Sequence, residues 1–226
     1  MVWLENNSDQ YQVPDDVVDI AFRIECKMLT LDHAHALAEQ ILAQLPWMKD
    51  EPQAGIHCIF VAASGNGWMR PENNETELLQ LSKRTKMHIR IPKHRIKDSQ
   101  CLTGKALDIN GHFLKVGAGQ IKLLSDSTTL FARHVVTEER ESETLFLQRQ
   151  VLELKEKGIS VKKMLCGRRN YFKIPGRLLY TRTLMLAELS KEESVLLQQN
   201  GLGTDRLLGC GLVLPHKGIA PVLTEN

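Results

Sequence analysis

The segment Gln198–Gly218, which reads QQNGLGTDRLLGCGLVLPHKG, decides how the rest of the chain is interpreted. It carries two pairs of glycines around Thr204, Asp205 and Arg206, followed by an apolar run typical of a strand. Because glycine adopts positive φ and lets another backbone approach closely, the segment predicts a tight loop. Exposed amides in such a loop can bind phosphate, and the arginine adds a positive charge. The alternative is an ordinary turn from a helix into a strand. The glycines are Gly201, Gly203, Gly209 and Gly211.

The composition indicates a globular protein with a real hydrophobic core. The chain has 226 residues, of which 42% are hydrophobic and 25% charged, so it can form one large domain or two small ones. It has no apolar run of transmembrane length, and its N-terminus, MVWLENNSDQ, lacks the features of a signal peptide. Five scattered cysteines form no metal-binding cluster. We therefore expect a cytoplasmic protein with reduced thiols, no membrane partner, no metal and no small-molecule cofactor.

The net charge of +2 conceals two basic tracts that contain no acid. Residues Leu78–Lys97 and Ile159–Ala187 each hold seven lysines and arginines. Two such tracts, one in each half of the chain, are typical of a polyanion-binding surface. Two solvated faces are the alternative, and charge alone does not choose between them.

Hydrophobic periodicity predicts the order of elements in the first half. VVDIAFRIECKML alternates with a period of two, which predicts a strand with one buried face. Asp32 is placed to cap a following helix with apolar residues at helical spacing. Further strands are predicted over Ile56–Ala62 and in KMHIRIP, then a short helix from Lys93 to Leu102. Asn110-Gly111 predicts a two-residue hairpin turn.

The second half repeats this order, from the strand TLFARHVV to the final strand GLVLP. A helix over Glu143–Lys157 and one capped by Ser190 are expected, and the basic stretch CGRRNYFKIPGR connects two strands. Two βαββαβ units in tandem make an α+β fold of two ferredoxin-like, RRM-like domains. We place them at residues 16–125 and 126–219, the first with the candidate catalytic helix and the second with the basic hairpin and the glycine-rich loop.

Several strings resemble one known family. VDIAFRIECKMLTLDHAHAL, GIHCIFVAASGNGW, LTGKALDINGHFLKVG and SVLLQQNGLGTDRLLGCGLVLPHKGI are similar to blocks of the CRISPR repeat-processing endoribonucleases of the RAMP superfamily (the Cas-six family, MYXAN type). The resemblance implies binding of the CRISPR repeat RNA hairpin and cleavage of precursor crRNA at the base of its stem. It also implies metal-independent attack by a ribose 2′-OH, a 2′,3′-cyclic phosphate product, and retention of the guide with other subunits of a Cascade-type effector.

Cleavage by a 2′-OH needs a base, an acid and a cation at the phosphate, and histidine is the natural acid or base near neutral pH. His33 is the first candidate, because family members commonly place a catalytic histidine on the first helix and the Asp32-His33 pair is similar to that position. His35 is the reserve candidate on the same helix. His57 is a possible second acid or base, or a satisfied histidine at the end of a strand.

The predicted RNA contacts come from both basic tracts and the glycine-rich loop. Tyr171 and Phe172 offer stacking surfaces, although Phe172 also suits the core, and Trp68 suits either RNA or the domain interface. The predicted RNA-binding residues are Lys162, Lys163, Arg168, Arg169, Lys173, Arg84, Arg90, Gly201, Gly203, Arg206, Gly209, Gly211 and Lys217.

Three functions remain open at this stage. The first is the metal-independent endoribonuclease. The second is a non-catalytic subunit that binds the crRNA hairpin in a CRISPR or transposon-associated complex. The third is a generic RRM-like protein that prefers single-stranded RNA, a preference that strong dependence on a hairpin would contradict.

Overall fold

The computed structural model describes residues 11–61 and 78–216 of the chain. Their first half forms a five-stranded antiparallel sheet with the strand order β3-β5-β1-β7-β6, and a separate two-stranded sheet pairs β2 with β4. Helix α1 covers one face of the larger sheet through its buried apolar residues. The elements are β1 (Val17–Glu25), β2 (Met28–Thr30), α1 (Ala34–Gln44), β3 (Gly55–Ile56), β4 (Leu78–Gln80), β5 (Lys86–Pro92), α2 (Ile96–Ser99), β6 (Ala106–Ile109) and β7 (His112–Leu123).

The second half forms a four-stranded antiparallel sheet with the order β11-β8-β10-β9. With α3 and α4 it completes a second βαββαβ unit, which is consistent with the predicted tandem ferredoxin-like arrangement. The proposed division at residues 125 and 126 falls in the connection between the two sheets. The elements are β8 (Leu130–Val136), α3 (Glu143–Glu156), β9 (Lys163–Ile174), β10 (Arg177–Ala187), α4 (Lys191–Asn200) and β11 (Val213–Pro215).

Local signals in the sequence are confirmed where they depend on near neighbours. Asn110 and Gly111 both have positive φ in the turn between β6 and β7. Ser190 caps α4 through a complete capping box with Glu193. Lys93 to Leu102 forms α2 flanked by 3₁₀ turns. These features form because each satisfies backbone groups within a few residues.

Three predictions about elements are wrong. Asp32 does not cap α1, because the N-cap position belongs to His33 and no side chain bonds there. The strand expected over Ile56–Ala62 is only Gly55–Ile56, and Ala62 lies outside the described residues. The basic stretch around Arg168 is not a connection, since β9 runs through it and pairs with β10 along its length. Short apolar and basic runs do not reveal how far a strand extends.

A small apolar cluster joins the two domains. Ala34 at the start of α1 packs with Phe172 of β9, Leu179 of β10 and Cys210 of the glycine-rich loop. Beside this cluster the backbone N–H of Lys173 donates to Asp32 Oδ2 at 2.9 Å. The N-terminus of α1 therefore lies directly against the basic hairpin of the other domain, and this junction positions the candidate site.

Candidate nucleic-acid interface

The hairpin formed by β9 and β10 presents a row of cations to solvent. β9 is the edge strand of its sheet, and its pairing with β10 is closed by a turn at Gly176, which has a φ of +81°. A twelve-residue edge strand rich in lysine and arginine resists pairing with another strand and can follow a phosphate backbone. The exposed cations that the sequence predicted here are Lys162, Lys163, Arg168, Arg169 and Lys173.

The side chains of Lys163 and Arg169 contact other groups of the protein. Lys163 forms an ion pair with Glu188, and both side chains are largely exposed. Arg169 donates to the carbonyl oxygen of Glu138 at 3.4 Å. Exposed pairs of this kind are weak, so a phosphate can compete for both side chains. Arg84 of the first basic tract is also exposed, in the turn before β5.

The aromatic residues of β9 differ in what they offer to RNA. Phe172 is 8% exposed, and its ring lies 4.6 Å from the ring of His134, measured between centroids. It belongs to the junction between the domains and does not provide a free stacking surface. Tyr171 is half-buried beside Tyr180, with the ring centroids 6.3 Å apart. Trp68 lies outside the described residues.

His33 is a buried residue whose ring bonds to the backbone on both sides. It is 2% exposed, its Nδ1 lies 3.0 Å from the carbonyl oxygen of Thr30, and its Nε2 accepts from the N–H of Ile59 at 2.9 Å. These partners fix the tautomer, because a carbonyl only accepts and an amide only donates. A general base needs a free ring nitrogen at the substrate, and the structure does not give His33 one.

His35 is the accessible histidine of α1. Its side chain is 28% exposed, and its Nδ1 lies 3.4 Å from Glu39 Oε2, one helical turn further on. Its Nε2 makes no hydrogen bond to the described residues. A partly exposed histidine close to a carboxylate is a candidate acid or base.

His57 belongs to a buried ionic cluster behind this junction. Its Nε2 lies 3.4 Å from Asp19 Oδ1, and Asp19 also accepts two hydrogen bonds from Arg90, at 2.8 and 2.9 Å. Burial lowers the pKa of His57, and the positive charges of Arg90 and Arg206 lower it further against the opposing effect of Asp19. His57 is therefore neutral near pH 7, and at 8% exposure it is a satisfied interior histidine.

The pKa values of Asp19 and His88 are also shifted in this cluster. Burial alone would raise the pKa of Asp19, but the positive charge of Arg90 and the hydrogen bonds from Arg90 and His57 outweigh it and hold that pKa well below its usual range. Burial also lowers the pKa of His88 to about 4, with a smaller contribution from His57. The rings of His57 and His88 meet edge to face at 6.1 Å. The carboxylate is thus ionised and both rings are neutral.

The predicted RNA contact of Arg90 is wrong. Arg90 is 0% exposed, because the second domain covers the face of the sheet on which its side chain lies. Its guanidinium bonds to Asp19 and to two backbone carbonyls of the second domain, Gln198 and Val213. No phosphate can reach it.

The glycine-rich loop does not present a row of free amides. Its four glycines have the predicted positive φ. The N–H of Gly201 donates to Leu197 O, that of Gly209 to Arg206 O and that of Gly211 to His134 O. Because the protein itself uses these amides, the predicted phosphate cradle is wrong. The fourth glycine, Gly203, donates to Glu153 Oε1 at 2.6 Å.

The conformation of the loop explains why three of its glycines are required. A Cβ on Gly209 would lie 2.5 Å from Cys58 Sγ, and one on Gly211 would lie 1.8 Å from Leu202 O. One on Gly201 would lie 2.1 Å from Arg206 Nη1. Gly209 therefore allows close contact with the first domain, whereas Gly201 and Gly211 allow close contacts within the loop itself.

The guanidinium of Arg206 is likewise hydrogen-bonded to the protein backbone. Its Nε donates to Ala54 O at 3.2 Å, and its Nη2 donates to Gln53 O at 2.9 Å and to Gln199 O at 3.0 Å. Burial lowers its pKa to about 10. Lys217, the other predicted cation of this loop, lies outside the described residues.

The family comparison agrees with this architecture along nearly the whole chain. The family model described as Cas6 Crispr matches residues 18–218. The CRISPR-associated endonuclease Cas6 of Myxococcus xanthus strain DK1622 is 30% identical over 209 residues, covering 92% of this chain and 86% of that protein. The chain belongs to the Cas6 family. The resemblance drawn from its sequence blocks is thereby confirmed.

Solved structures support the Cas6 fold. A structure of a CRISPR associated protein Cas6 has a TM-score of 0.64 at 12% identity, over 89% of this chain and 100% of that one. A structure described as an RAMP protein binding different RNA substrates has a TM-score of 0.60 at 15% identity, over 88% of this chain and 100% of that one. At these identities the likeness establishes the fold and not the chemistry.

Metal-binding clusters and membrane-spanning helices are both absent from the part of this Cas6-family chain that the structure describes. Within residues 11–61 and 78–216, no three His, Cys, Asp or Glu side chains come close enough together to hold a metal ion. In the same part of the chain, no helix has the length and apolar character needed to cross a bilayer.

Sequence reasoning missed Asp19 as a member of this Cas6-family site region. The alternation of β1 placed it on the polar face, and Asp19 pairs directly across the sheet with Arg90 of β5. An acid and an arginine on two predicted strands were a usable signal. The register that brings them together was not visible in either strand alone.

Proposed function

We propose that this chain is a metal-independent endoribonuclease that binds the hairpin of a CRISPR repeat and cleaves precursor crRNA. The observation that carries the proposal is the junction where Lys173 of the basic hairpin bonds to Asp32 beside α1. His35, in the first turn of α1, is partly exposed, and we infer that it faces the same RNA as the exposed cations of β9. The names of the Myxococcus relative and of the RNA-binding RAMP structure agree with such a substrate.

The proposed reaction is the one that the family resemblance implies. The ribose 2′-OH adjoining the scissile phosphate loses its proton to a base, and its oxygen forms a new bond to phosphorus. The bond from phosphorus to the 5′-oxygen breaks, and that oxygen takes up a proton. The products are a 2′,3′-cyclic phosphate and a 5′-hydroxyl. A histidine provides the proton transfer, and nearby cations stabilise the extra negative charge of the transition state.

We assign the proton transfer to His35 rather than to His33 or His57. Both ring nitrogens of His33 are bonded to the backbone, and His57 is buried against Asp19. The side chain of His35 is 28% exposed, and its Nδ1 lies 3.4 Å from Glu39 Oε2. The first choice from sequence therefore moves by two residues along the same helix.

The exposed cations of β9 are proposed to hold the repeat stem. Phosphates along an RNA strand attract such a row over several ångströms, and each neutralised phosphate releases counterions. Lys173 lies at the junction with α1, and Arg168 and Arg169 lie in the middle of β9. Binding through them would bring the base of a stem toward His35.

The test is cleavage of a labelled repeat RNA by the full chain in EDTA. The parent should yield a 5′ fragment with a cyclic phosphate and a 3′ fragment with a 5′-hydroxyl. His35→Ala should lower the cleavage rate of bound RNA by about 100-fold or more, as expected for loss of a general acid or base. Its RNA affinity should stay nearly unchanged.

The matched control is His94→Ala. His94 is also an exposed histidine of the first domain paired with a carboxylate, Glu51, at 3.0 Å. His94 lies outside the proposed site, so the His94→Ala variant should cleave RNA at the parental rate. Equal rates for His35→Ala and the parent would refute the assignment, and loss of cleavage in EDTA alone would refute metal independence.

A second candidate is a non-catalytic subunit that binds the crRNA hairpin within a Cascade-type or transposon-associated complex. The observation that favours it is the complete engagement of His33, the residue at the histidine position that the resemblance pointed to. It predicts tight binding of the hairpin with no cleavage under any condition. Co-purification with other effector subunits and a guide RNA would support membership of an effector complex, which both candidate functions include.

A further inference from the structure

We propose that Arg90 and Arg206 form a reciprocal clasp that fixes the angle between the two ferredoxin-like domains. Each arginine belongs to one domain and bonds to backbone carbonyls of the other. As positioning residues, they would hold the α1 histidine at one distance from the basic hairpin, an inference that rests on the proposed function. Neither residue touches the RNA in this proposal.

Arg90 reaches from the first domain into the second. Its Nε and Nη2 hold Asp19 on the neighbouring strand, which fixes the orientation of the guanidinium. Its Nη1 then donates to Gln198 O at 2.7 Å and to Val213 O at 3.1 Å. All three of its nitrogens are therefore bonded, in a side chain that is 0% exposed.

Arg206 reaches in the opposite direction. From the glycine-rich loop of the second domain, it donates to Gln53 O and Ala54 O, which precede β3 of the first domain. It also donates to Gln199 O of its own domain. Its Nη1 is buried against Gly201 without a hydrogen bond, so this site admits only glycine.

The two arginines meet at the C-terminus of α4. The last carbonyls of a helix have no partner within it and carry the negative end of its dipole. Arg90 bonds to the carbonyl of Gln198 and Arg206 to that of Gln199, so cations from both sides satisfy the end of one helix. Both hydrogen bonds depend on the positive φ of Gly201, because this residue ends α4 at a place that both guanidinium groups reach.

One carboxylate balances this cluster of cations. Burial lowers the pKa of Arg206, the charge of Arg90 lowers it further, and Asp19 acts in the opposite direction. An ionised Asp19 and a neutral His57 complete the cluster. Buried arginines with fixed carbonyl partners tolerate little movement, because a displaced guanidinium would lose bonds that water cannot replace.

The clasp matters to the reaction because the proposed catalytic and binding groups lie on different domains. His35 belongs to the first domain, and the cations of β9 belong to the second. In-line attack requires each reacting group to lie within about an ångström of its reactive position. A domain angle that varied would separate the histidine from the phosphate without removing any contact to RNA.

The test uses the full chain with Arg90→Gln or Arg206→Gln, and Arg149→Gln as the matched control. Arg149 also holds a carboxylate, Glu141, with two nitrogens and bonds to a carbonyl oxygen, that of Val136, but all its partners lie in the second domain. Affinity for the repeat hairpin and the single-turnover cleavage rate are measured separately. Spin labels on Lys105→Cys and Glu156→Cys, in a Cys101→Ser background, report the distance between the domains.

We expect each clasp variant to lower the cleavage rate of bound RNA by about tenfold or more, because the reacting groups lose their alignment. Affinity should change less than about threefold, as is usual for residues without a phosphate contact. The distance distribution should broaden in both clasp variants and stay narrow in the control.

Three results would overturn the clasp. The first is a parental rate and a parental distance distribution in both variants. The second is an equal loss of affinity and rate, which would indicate an RNA contact or a general loss of structure. The third is complete unfolding of both variants, which would make the arginines folding determinants. If the parent itself does not cleave, the proposed function fails, and the distance distributions alone decide on the clasp.

Discussion

The replacement of His33 by alanine separates a structural role from a catalytic one. His33 is 2% exposed and joins the segment before α1 to the segment after β3. Alanine removes the Nδ1 donor to Thr30 O and the Nε2 acceptor of Ile59 N–H. We therefore expect this variant to lose stability before it loses chemistry.

The magnitude follows from those contacts. A buried amide left without an acceptor costs about 1–3 kcal/mol, and the lost donor bond about 1 kcal/mol more. The space left by the ring adds about 1 kcal/mol. The sum is about 3–5 kcal/mol, which corresponds to about 6–20 °C in melting temperature for a chain of this size. His35→Ala, on the accessible side of α1, should stay within about 0.5 kcal/mol of the parent.

Thermal denaturation followed by circular dichroism measures the stability, and single-turnover cleavage well below both melting temperatures measures the chemistry. His33→Asn is an informative companion, because its amide can still donate near the position of Nδ1. It should recover part of the lost stability.

The reasoning fails if His33→Ala melts within about 2 °C of the parent and no longer cleaves. That result would show that the ring contributes little to the fold and that His33 itself transfers the proton. A stable His35→Ala variant with full activity would point in the same direction.

Three other predictions test the interface and the interior. Arg168→Ala with Arg169→Ala should weaken RNA binding and reduce its salt dependence by about one to two counterions; an unchanged slope would remove β9 from the interface. His88 has a folded pKa of about 4, below the ordinary histidine value, so its contribution to stability is present above pH 6.5 and is lost as the pH falls toward 4. Urea titrations should show a loss of up to about 3 kcal/mol across that range, and His88→Asn should reduce it; equal pH dependence in both proteins would contradict the shift. Gly209→Ala should destabilise the chain more than Gly203→Ala, because a Cβ at Gly209 meets a sulfur at 2.5 Å whereas nothing lies within 4 Å of one at Gly203. Similar melting temperatures for the two variants would contradict the close packing of the loop.

The elements of the fold were predictable where a few neighbouring residues determine the backbone. The alternation of β1, the Asn110-Gly111 turn and the Ser190 capping box each act over short distances. The capacity of β9 to extend through its basic stretch was not predictable, because pairing with β10 decides it. The family came from longer blocks of sequence, above all the glycine-rich segment.

The candidate site was predicted less well than the fold. The cations that the sequence indicated in and beside β9 are exposed, and the placement of the catalytic group in the α1 region stays a prediction. It could not show which histidine of α1 is accessible, since Ile59 lies 26 positions from His33. It also could not show that the amides of Gly201, Gly209 and Gly211 bond within the protein.

The sequence alone determined two ferredoxin-like units, their order, the tight glycine-rich loop and the positive charge of the second hairpin. Only the tertiary structure decided which cations face solvent and which lie between the domains. Arg90 had the polar position of an alternating strand, as predicted, but the second domain covers that face, and its partner Val213 lies 123 positions away. Local sequence sets backbone geometry and side-chain facing, whereas burial depends on packing between segments that are remote in the chain.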